Sequence, residues 1–300
     1  MKTYHIYQVD AFTKEKFKGN PAGVVSNADG LTEIQMQSIA RELNNAETAF
    51  ILSPTAGDHD VWIRFFTPAT EVPSCGHATI SAHYVRAIEN AMPSCTVKQR
   101  IGIGILPVDI VKEDSDYKII MTQGAFEISP EIKGRNKNDI LNALNLSDSD
   151  LDYRCPVQIV STGHSKVMVG IKSGKTLNSL TPDLGKLINI SRTIGCNGYF
   201  IFTFDSDDES ILTHGRMFAP AIGIPEDPVT GNANGPLGAY LVHHGILEAL
   251  NGSIAFKGKQ GEAIGRDGIV TVTVEVKDGK PSKVQVGGYA TIAFKTEFEL

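Results

Sequence analysis

Four side chains of this 300-residue sequence are of types that transfer protons in enzymes. Glu47 begins the apolar segment ETAFI, Cys75 and His77 flank a glycine in CGHAT, and Asp227 lies in EDPVTG. Carboxylates, thiols and imidazoles act as general acids and bases when a fold holds them close to a substrate. The sequence therefore predicts proton-transfer chemistry, provided that the surrounding elements bring these side chains to a site.

Glu47 follows the end of a predicted helix and precedes a predicted strand. Thr32 and Gln35 have the spacing of a capping box that opens the helix, and Asn44-Asn45 end its apolar pattern. The apolar strand after Glu47 would draw the carboxylate inward, and a carboxylate in a dry pocket is suited to accept a proton near neutral pH. A solvated or structural glutamate is the alternative at such a junction.

Two glycines mark the predicted starts of two helices that are rich in small residues. Gly76 stands before HATISAHY and Gly231 before NANGPLGAY. The N–H groups and the dipole at a helix N-terminus attract anions, so Gly76 and Gly231 are predicted to bind a substrate carboxylate. The alternative is that these glycines only permit a tight turn from strand to helix.

His77 and Asp227 each have two interpretations. His77 could donate a hydrogen bond to a substrate oxygen or shuttle a proton, or it could cap its own helix. Asp227 could be a second acid or base, or its side chain could cap the turn before the second helix. Cys75 and Asp227 together would make a two-base epimerase, since a helix N-terminus favours a thiolate. A further alternative is a catalytically silent protein that binds small acids.

The two helix starts belong to an internal repeat. The matched positions share one offset: Arg64 with Arg216, Phe66 with Phe218, Pro68 with Pro220, Pro73 with Pro225, and Cys75 with Asp227. A repeat of about half the chain fits two copies of a domain, with ligands in the cleft between them. We predict an α+β protein in which each domain is an antiparallel, barrel-like sheet around a central helix. The predicted domains are residues 1–124, joined by a final strand at 288–300, and residues 125–287.

Composition and spacing exclude several classes of protein. A net charge of −6 with scattered basic residues argues against nucleic-acid binding. No segment approaches the ~20 apolar residues that span a bilayer, and the first residues lack the apolar region of a secretory signal, so a cytoplasmic location is predicted. The four cysteines have no CxxC spacing, which is typical of thiols in a reducing compartment.

Neither a metal nor a nucleotide is predicted as a cofactor. His77 and His83 are not at the i,i+4 spacing of a helical zinc pair. Gly102 and Gly104 lack the third glycine of a dinucleotide-binding loop, and no phosphate-binding GxxxxGK[ST] motif occurs.

Four motifs in order, GNPAGVV, ETAF, RFFTPATEVPSCGHAT and GIPEDPVTGNA, resemble the PhzF-like family of phenazine biosynthesis, which is related to diaminopimelate epimerase. The resemblance runs from Val9 to the end of the sequence. It implies the diaminopimelate epimerase fold of two similar domains. Because family members are dimeric, the resemblance also suggests a homodimer.

The resemblance also implies an activity and its residues. It implies a cofactor-independent isomerase that shifts a proton on a small carboxylic acid, with Glu47 as general acid and base and with His77 and Asp227 assisting. Diaminopimelate epimerase uses two thiols; Cys75 looks like a relic of the first, and Asp227 stands in place of the second. Asn232 stands where phenazine-forming members have serine, so we expect it to contact substrate by a hydrogen bond, and the substrate is left open.

Overall fold

A computed structural model describes residues 1–300 and divides them into two compact units. The first unit contains Met1–Thr122 together with Gly287–Leu300, and the second contains Gln123–Val286. None of the helices combines the length and the apolar composition needed to cross a membrane.

The elements follow one another in a similar order in the two halves of the chain. Up to residue 122 they are β1 Thr3–Ala11, β2 Asn20–Val25, α1 Glu33–Leu43, β3 Thr48–Leu52, β4 Val61–Phe66, β5 Glu71–Val72, α2 Gly76–Glu89, β6 Cys95–Ile101, β7 Gly104–Glu113 and β8 Asp116–Thr122. The next are β9 Glu127–Ile128, α3 Gly134–Ala143, β10 Gln158–Ser161, β11 Lys166–Ile171, α4 Gly174–Ser179, α5 Leu184–Ile194, β12 Tyr199–Thr203, β13 Thr213–Ala219, β14 Ile224–Asp227, α6 Gly231–His243, β15 Gly252–Gln260, β16 Gly268–Lys277, β17 Lys280–Gly288 and β18 Ala290–Glu299.

Helix α2 is the central element of the first unit. Every residue from His77 to Val85 is buried, and α2 contacts β1, β2, β3, β7, β8 and β18. Its small side chains, such as Ala78 and Ala82, let the surrounding strands approach closely. The strands therefore wrap around the helix, which has no solvent-exposed face along these residues.

Helix α6 has the corresponding place in the second unit. It is buried from Ala233 to Val242. A Cβ atom at Gly238 would lie 2.6 Å from Val272 and 2.9 Å from Val274 of β16, so the close contact of α6 with this strand requires glycine. On the outer side of the sheet, α3 and α5 cover a second apolar cluster that includes Val167 and Leu187.

The two units use the same strand pairings. β2 pairs with β3 and β4 with β6 in parallel, and so do β11 with β12 and β13 with β15. The pairings β3–β4 and β12–β13 are antiparallel, as are most others. A parallel pair needs a crossover, which α1, α2, α5 and α6 provide. These pairings confirm the α+β class and the duplication. They differ from the prediction in one respect, since the sequence predicts antiparallel sheets and the sheets contain parallel pairs as well.

Candidate active site

Glu47 lies in the short connection between α1 and β3. The capping box of Thr32 and Gln35 starts α1, and Asn44 ends it in the left-handed conformation with φ 52°. The Glu47 carbonyl accepts a hydrogen bond from the Gly23 N–H at 3.3 Å, which fixes this connection beside β2. Only 16% of the Glu47 side chain is exposed, so its carboxylate points into the first unit.

His77 and Glu47 meet at the start of α2. The two atoms His77 Nε2 and Glu47 Oε2 are 3.4 Å apart, and His77 is 8% exposed. The same Nε2 atom is buried and has no hydrogen-bond partner. An unsatisfied buried polar atom costs free energy, and a hydrogen bond to a ligand would remove that cost.

Cys75 contacts the opposite edge of the same imidazole. Its Sγ lies 3.5 Å from His77 Nδ1, so the ring stands between a thiol and a carboxylate. Cys75 is the N-cap of α2, yet its side chain makes no capping hydrogen bond. The thiol is therefore turned toward His77 rather than toward the N–H groups of the helix.

The ligand atoms of Glu47, Cys75 and His77 lie within 4.8 Å of one another, a spacing that could hold a metal ion. The imidazole, however, presents Nδ1 to Cys75 and Nε2 to Glu47, so neither ring nitrogen faces both other groups. This arrangement resembles a chain of proton donors and acceptors more closely than a tetrahedral ligand set.

Asp227 ends β14 in the second unit, within a buried polar network. Its Oδ2 accepts a hydrogen bond from the Thr230 hydroxyl. Gln260 supports both residues: its amide nitrogen donates to the Asp227 carbonyl at 2.8 Å, and its amide oxygen accepts from the Thr230 N–H at 3.0 Å. Thr230 is the N-cap of α6 but makes no side-chain cap, because its hydroxyl serves Asp227.

Gly231 and Asn232 are the first two residues of α6, and both accept hydrogen bonds from the side chain of the same glutamine. The Gln123 amide nitrogen donates to the Gly231 carbonyl and to Asn232 Oδ1, both at 3.1 Å. Thr162 in turn donates to the Gln123 amide oxygen at 2.7 Å. The side chain of Asn232 is thereby oriented before any ligand binds.

The structure brings Glu47, Cys75 and His77 together in the first unit, and it places Asp227, Gly231 and Asn232 within four residues of the start of α6 in the second. The glutamines that support the second group, at positions 123 and 260, are not among the residues singled out from the sequence. No local pattern marks them, since each reaches its partners across more than 25 residues of chain.

The motifs and the fold agree with known proteins. Residues 9–296 match the model of a family described as phenazine biosynthesis-like protein. An uncharacterized isomerase of Clostridium acetobutylicum is 59% identical over 300 residues, with 100% of this chain and 99% of that protein covered. The trans-2,3-dihydro-3-hydroxyanthranilate isomerase of Pseudomonas fluorescens is 31% identical, with 93% of this chain and 94% of that protein covered.

A solved structure shows the same architecture. The Bacillus anthracis phenazine biosynthesis protein of the PhzF family superimposes with a TM-score of 0.89 at 32% identity, and both chains are covered completely. The duplicated fold, the motifs around α2 and α6, and these relatives together show that the chain belongs to the phenazine biosynthesis-like PhzF family and is an isomerase.

Proposed function

We propose that the protein moves a proton on a small carboxylic acid without a cofactor, and that Glu47 is the general acid and base. The observation that carries this proposal is the 3.4 Å approach of Glu47 Oε2 to the buried, partnerless Nε2 of His77. A general base must lie within hydrogen-bond reach of the proton that it takes. Glu47 would remove the proton from carbon and return it to another position.

His77 has a separate role in this proposal. As the substrate loses its proton, negative charge develops on an oxygen conjugated with the reacting carbon, and a fixed donor aimed at that oxygen stabilises the transition state. His77 Nε2 is a suitable donor because it is buried and makes no hydrogen bond within the protein. Asp227 is proposed to assist, as the family resemblance implies.

The substrate is proposed to carry a carboxylate. Neither Gly76 nor Gly231 has a positive φ, and a Cβ atom at Gly76 would make only an ordinary contact, 3.5 Å from Met121. The turn before α2 therefore does not require glycine, which favours close approach of an anion to the main chain. The Pseudomonas fluorescens relative is named for an anthranilate, which is a small carboxylic acid.

A two-base epimerase that uses Cys75 and Asp227 is the second candidate. The 3.5 Å contact between Cys75 Sγ and His77 Nδ1 favours it, because an imidazole beside a thiol promotes thiolate formation. The two candidates differ in which atom carries the proton, sulfur or carboxylate oxygen. Substitution of Glu47 and of Cys75 separates them.

The decisive measurement is incorporation of solvent deuterium into a panel of small carboxylic acids, with the parent protein and Glu47→Gln. The variant keeps the shape of the side chain but cannot act as a base, so exchange should fall by about 10²–10⁴-fold while affinity changes little. Glu42→Gln, at an exposed position of α1, is the matched control.

Exchange at the parent rate in Glu47→Gln would overturn the assignment of Glu47. Binding of these acids by the parent protein without any exchange would favour a catalytically silent binding protein instead.

A further inference from the structure

Lys166, the first residue of β11, is a buried cation that the proposed mechanism does not use. Only 8% of its surface is exposed, although lysine is rarely buried unless it is paired. Its ammonium donates to two main-chain carbonyls, of Ser165 at 3.2 Å and of His164 at 3.5 Å, and it forms no ion pair. Its positive charge is therefore only partly compensated within the chain.

Gly198 leaves the space that the lysine stem occupies. A Cβ atom at Gly198 would lie 2.3 Å from Lys166 Cδ and 2.9 Å from Cε. Gly198 does not have a positive φ, so its backbone conformation does not call for glycine. The buried position of Lys166 thus depends on the missing side chain at residue 198.

Lys166 lies on the side of β11 that faces α6. Alternate residues of a strand point to opposite faces, and Val167 belongs to the outer cluster under α3 and α5. A Cβ atom at Gly170, on the same face as Lys166, would lie 3.1 Å from Phe202, whose ring packs edge-on against Tyr240 of α6. The ammonium therefore projects toward the side of the sheet on which α6 lies.

The charge of this ammonium is influenced by two groups of the second unit, Cys196 and Asp227. Burial lowers the pKa of Lys166, whereas Cys196 and Asp227 act in the opposite direction. The Asp227 carboxylate is itself engaged by the Thr230 hydroxyl. A buried charge that lacks a direct counter-charge is costly, and an anionic ligand beside Lys166 would remove that cost.

We propose that Lys166 binds a carboxylate of the substrate on the α6 side of β11 and so selects acids that carry an anionic group at this position. The inference rests on the proposed function in one respect, namely that the bound anion belongs to the molecule that is isomerised. Binding itself is independent of turnover. Succinate and sulfate serve as probes, because both present the anionic oxygens that an ammonium recognises.

Two variants test Lys166 from opposite directions. Lys166→Met keeps most of the stem and removes the charge, and it should fold because replacing a buried charge by an apolar group of similar volume is often neutral or stabilising. Gly198→Ala keeps the charge and displaces the stem. Lys257→Met, at an exposed position of β15, is the matched control.

Isothermal titration calorimetry at neutral pH should show succinate and sulfate binding to the parent protein and to Lys257→Met with equal affinity. Lys166→Met and Gly198→Ala should each weaken succinate binding about tenfold or more, since a charge-assisted hydrogen bond is lost. Because both changes act on one ammonium, the double variant should bind no more weakly than Lys166→Met.

The outcomes separate this inference from the proposed function. If the parent exchanges the proton of a small acid while Lys166→Met binds succinate with parental affinity, the role of Lys166 is overturned and the isomerase proposal stands. If the parent exchanges no proton in any acid but loses succinate binding in Lys166→Met, the isomerase proposal fails and anion binding by Lys166 stands. Failure of the folded parent to bind either probe at millimolar concentration also overturns the role of Lys166.

Discussion

Arg216 and Glu226 are joined by two parallel hydrogen bonds, from Nε to Oε1 at 2.9 Å and from Nη2 to Oε2 at 2.7 Å. Their side chains are only 8% and 13% exposed. In the first unit Arg64, which the repeat matches to Arg216, binds Glu71 through two bonds of 2.7 Å, although the repeat does not match Glu71 to Glu226. There Glu71 is 39% exposed, and Arg64 has a second carboxylate partner, Glu33, at 2.9 Å.

This difference in burial predicts unequal effects of the same substitution. Glu226→Gln leaves a buried guanidinium without its counter-charge and should lower the free energy of unfolding by about 3–5 kcal/mol. Glu71→Gln should cost about 1 kcal/mol or less, because Glu33 and water remain available to Arg64. Urea unfolding followed by circular dichroism measures both, and equal losses would contradict the prediction.

Cys75→Ala distinguishes the two catalytic candidates. With Glu47 as the base, exchange should stay within about twofold of the parent rate, because the sulfur carries no proton. With Cys75 as a base, exchange should fall by about 10²–10⁴-fold. The measurement is solvent deuterium incorporation, with succinate binding as a check that the site is still formed.

His77→Gln should separate activity from stability. The loss of a donor aimed at developing charge should reduce kcat by about 10²–10³-fold with a smaller change in KM. Stability should change by about 1 kcal/mol or less, because Nε2 makes no hydrogen bond within the protein and the only bond lost is the contact of Nδ1 with the Cys75 thiol. A variant that melts well below the parent yet keeps its kcat would show that His77 is structural.

The stability of the protein should decrease as the pH is lowered, because of His83. Burial, followed by the charge of Arg86, lowers the pKa of His83 to about 3, whereas an unfolded histidine titrates near 6.5. Between these two pH values the unfolded state binds a proton that the folded state does not. The free energy of unfolding therefore decreases by up to ~1.4 kcal/mol for each unit by which the pH is lowered.

Urea unfolding from pH 7 to pH 4 measures this slope. In His83→Gln the slope of the free energy of unfolding against pH should be smaller by the contribution of about one proton. His243→Gln, at an exposed position of α6, should keep the parental slope. An unchanged slope in His83→Gln would mean that other groups control the acid transition.

The parts of the fold that have local signals could be predicted from the sequence. The capping box of Thr32 and Gln35, the end of α1 at Asn44, and the helix starts at Gly76 and Gly231 all appear where the pattern indicates. The repeat predicted two similar units, because two segments with the same pattern of residues fold with the same strand pairings. These features depend on neighbours in the chain or on the recurrence of a whole segment.

The site depends on contacts that have no local signal. The approach of His77 to Glu47 joins the start of α2 to the end of α1, and nothing in either segment specifies that distance. Thr230 has the residue type of a helix cap, but its hydroxyl binds Asp227 instead. Lys166 opens a strand, where a lysine would be expected at the surface, and only the long-range contact with Gly198 explains its burial.

Strand β18 pairs with β1 from Thr3 opposite Glu299 to Ala11 opposite Ala290, although the whole second unit lies between them in the chain. During synthesis the ribosome therefore makes residues 123–286 before it makes the strand that completes the first sheet. Until then β1 presents unpaired main-chain groups along one edge, which is a template for pairing with other chains. The sequence of the second unit is complete before that of the first, so the unfinished first unit is the part of the nascent chain most exposed to misassembly.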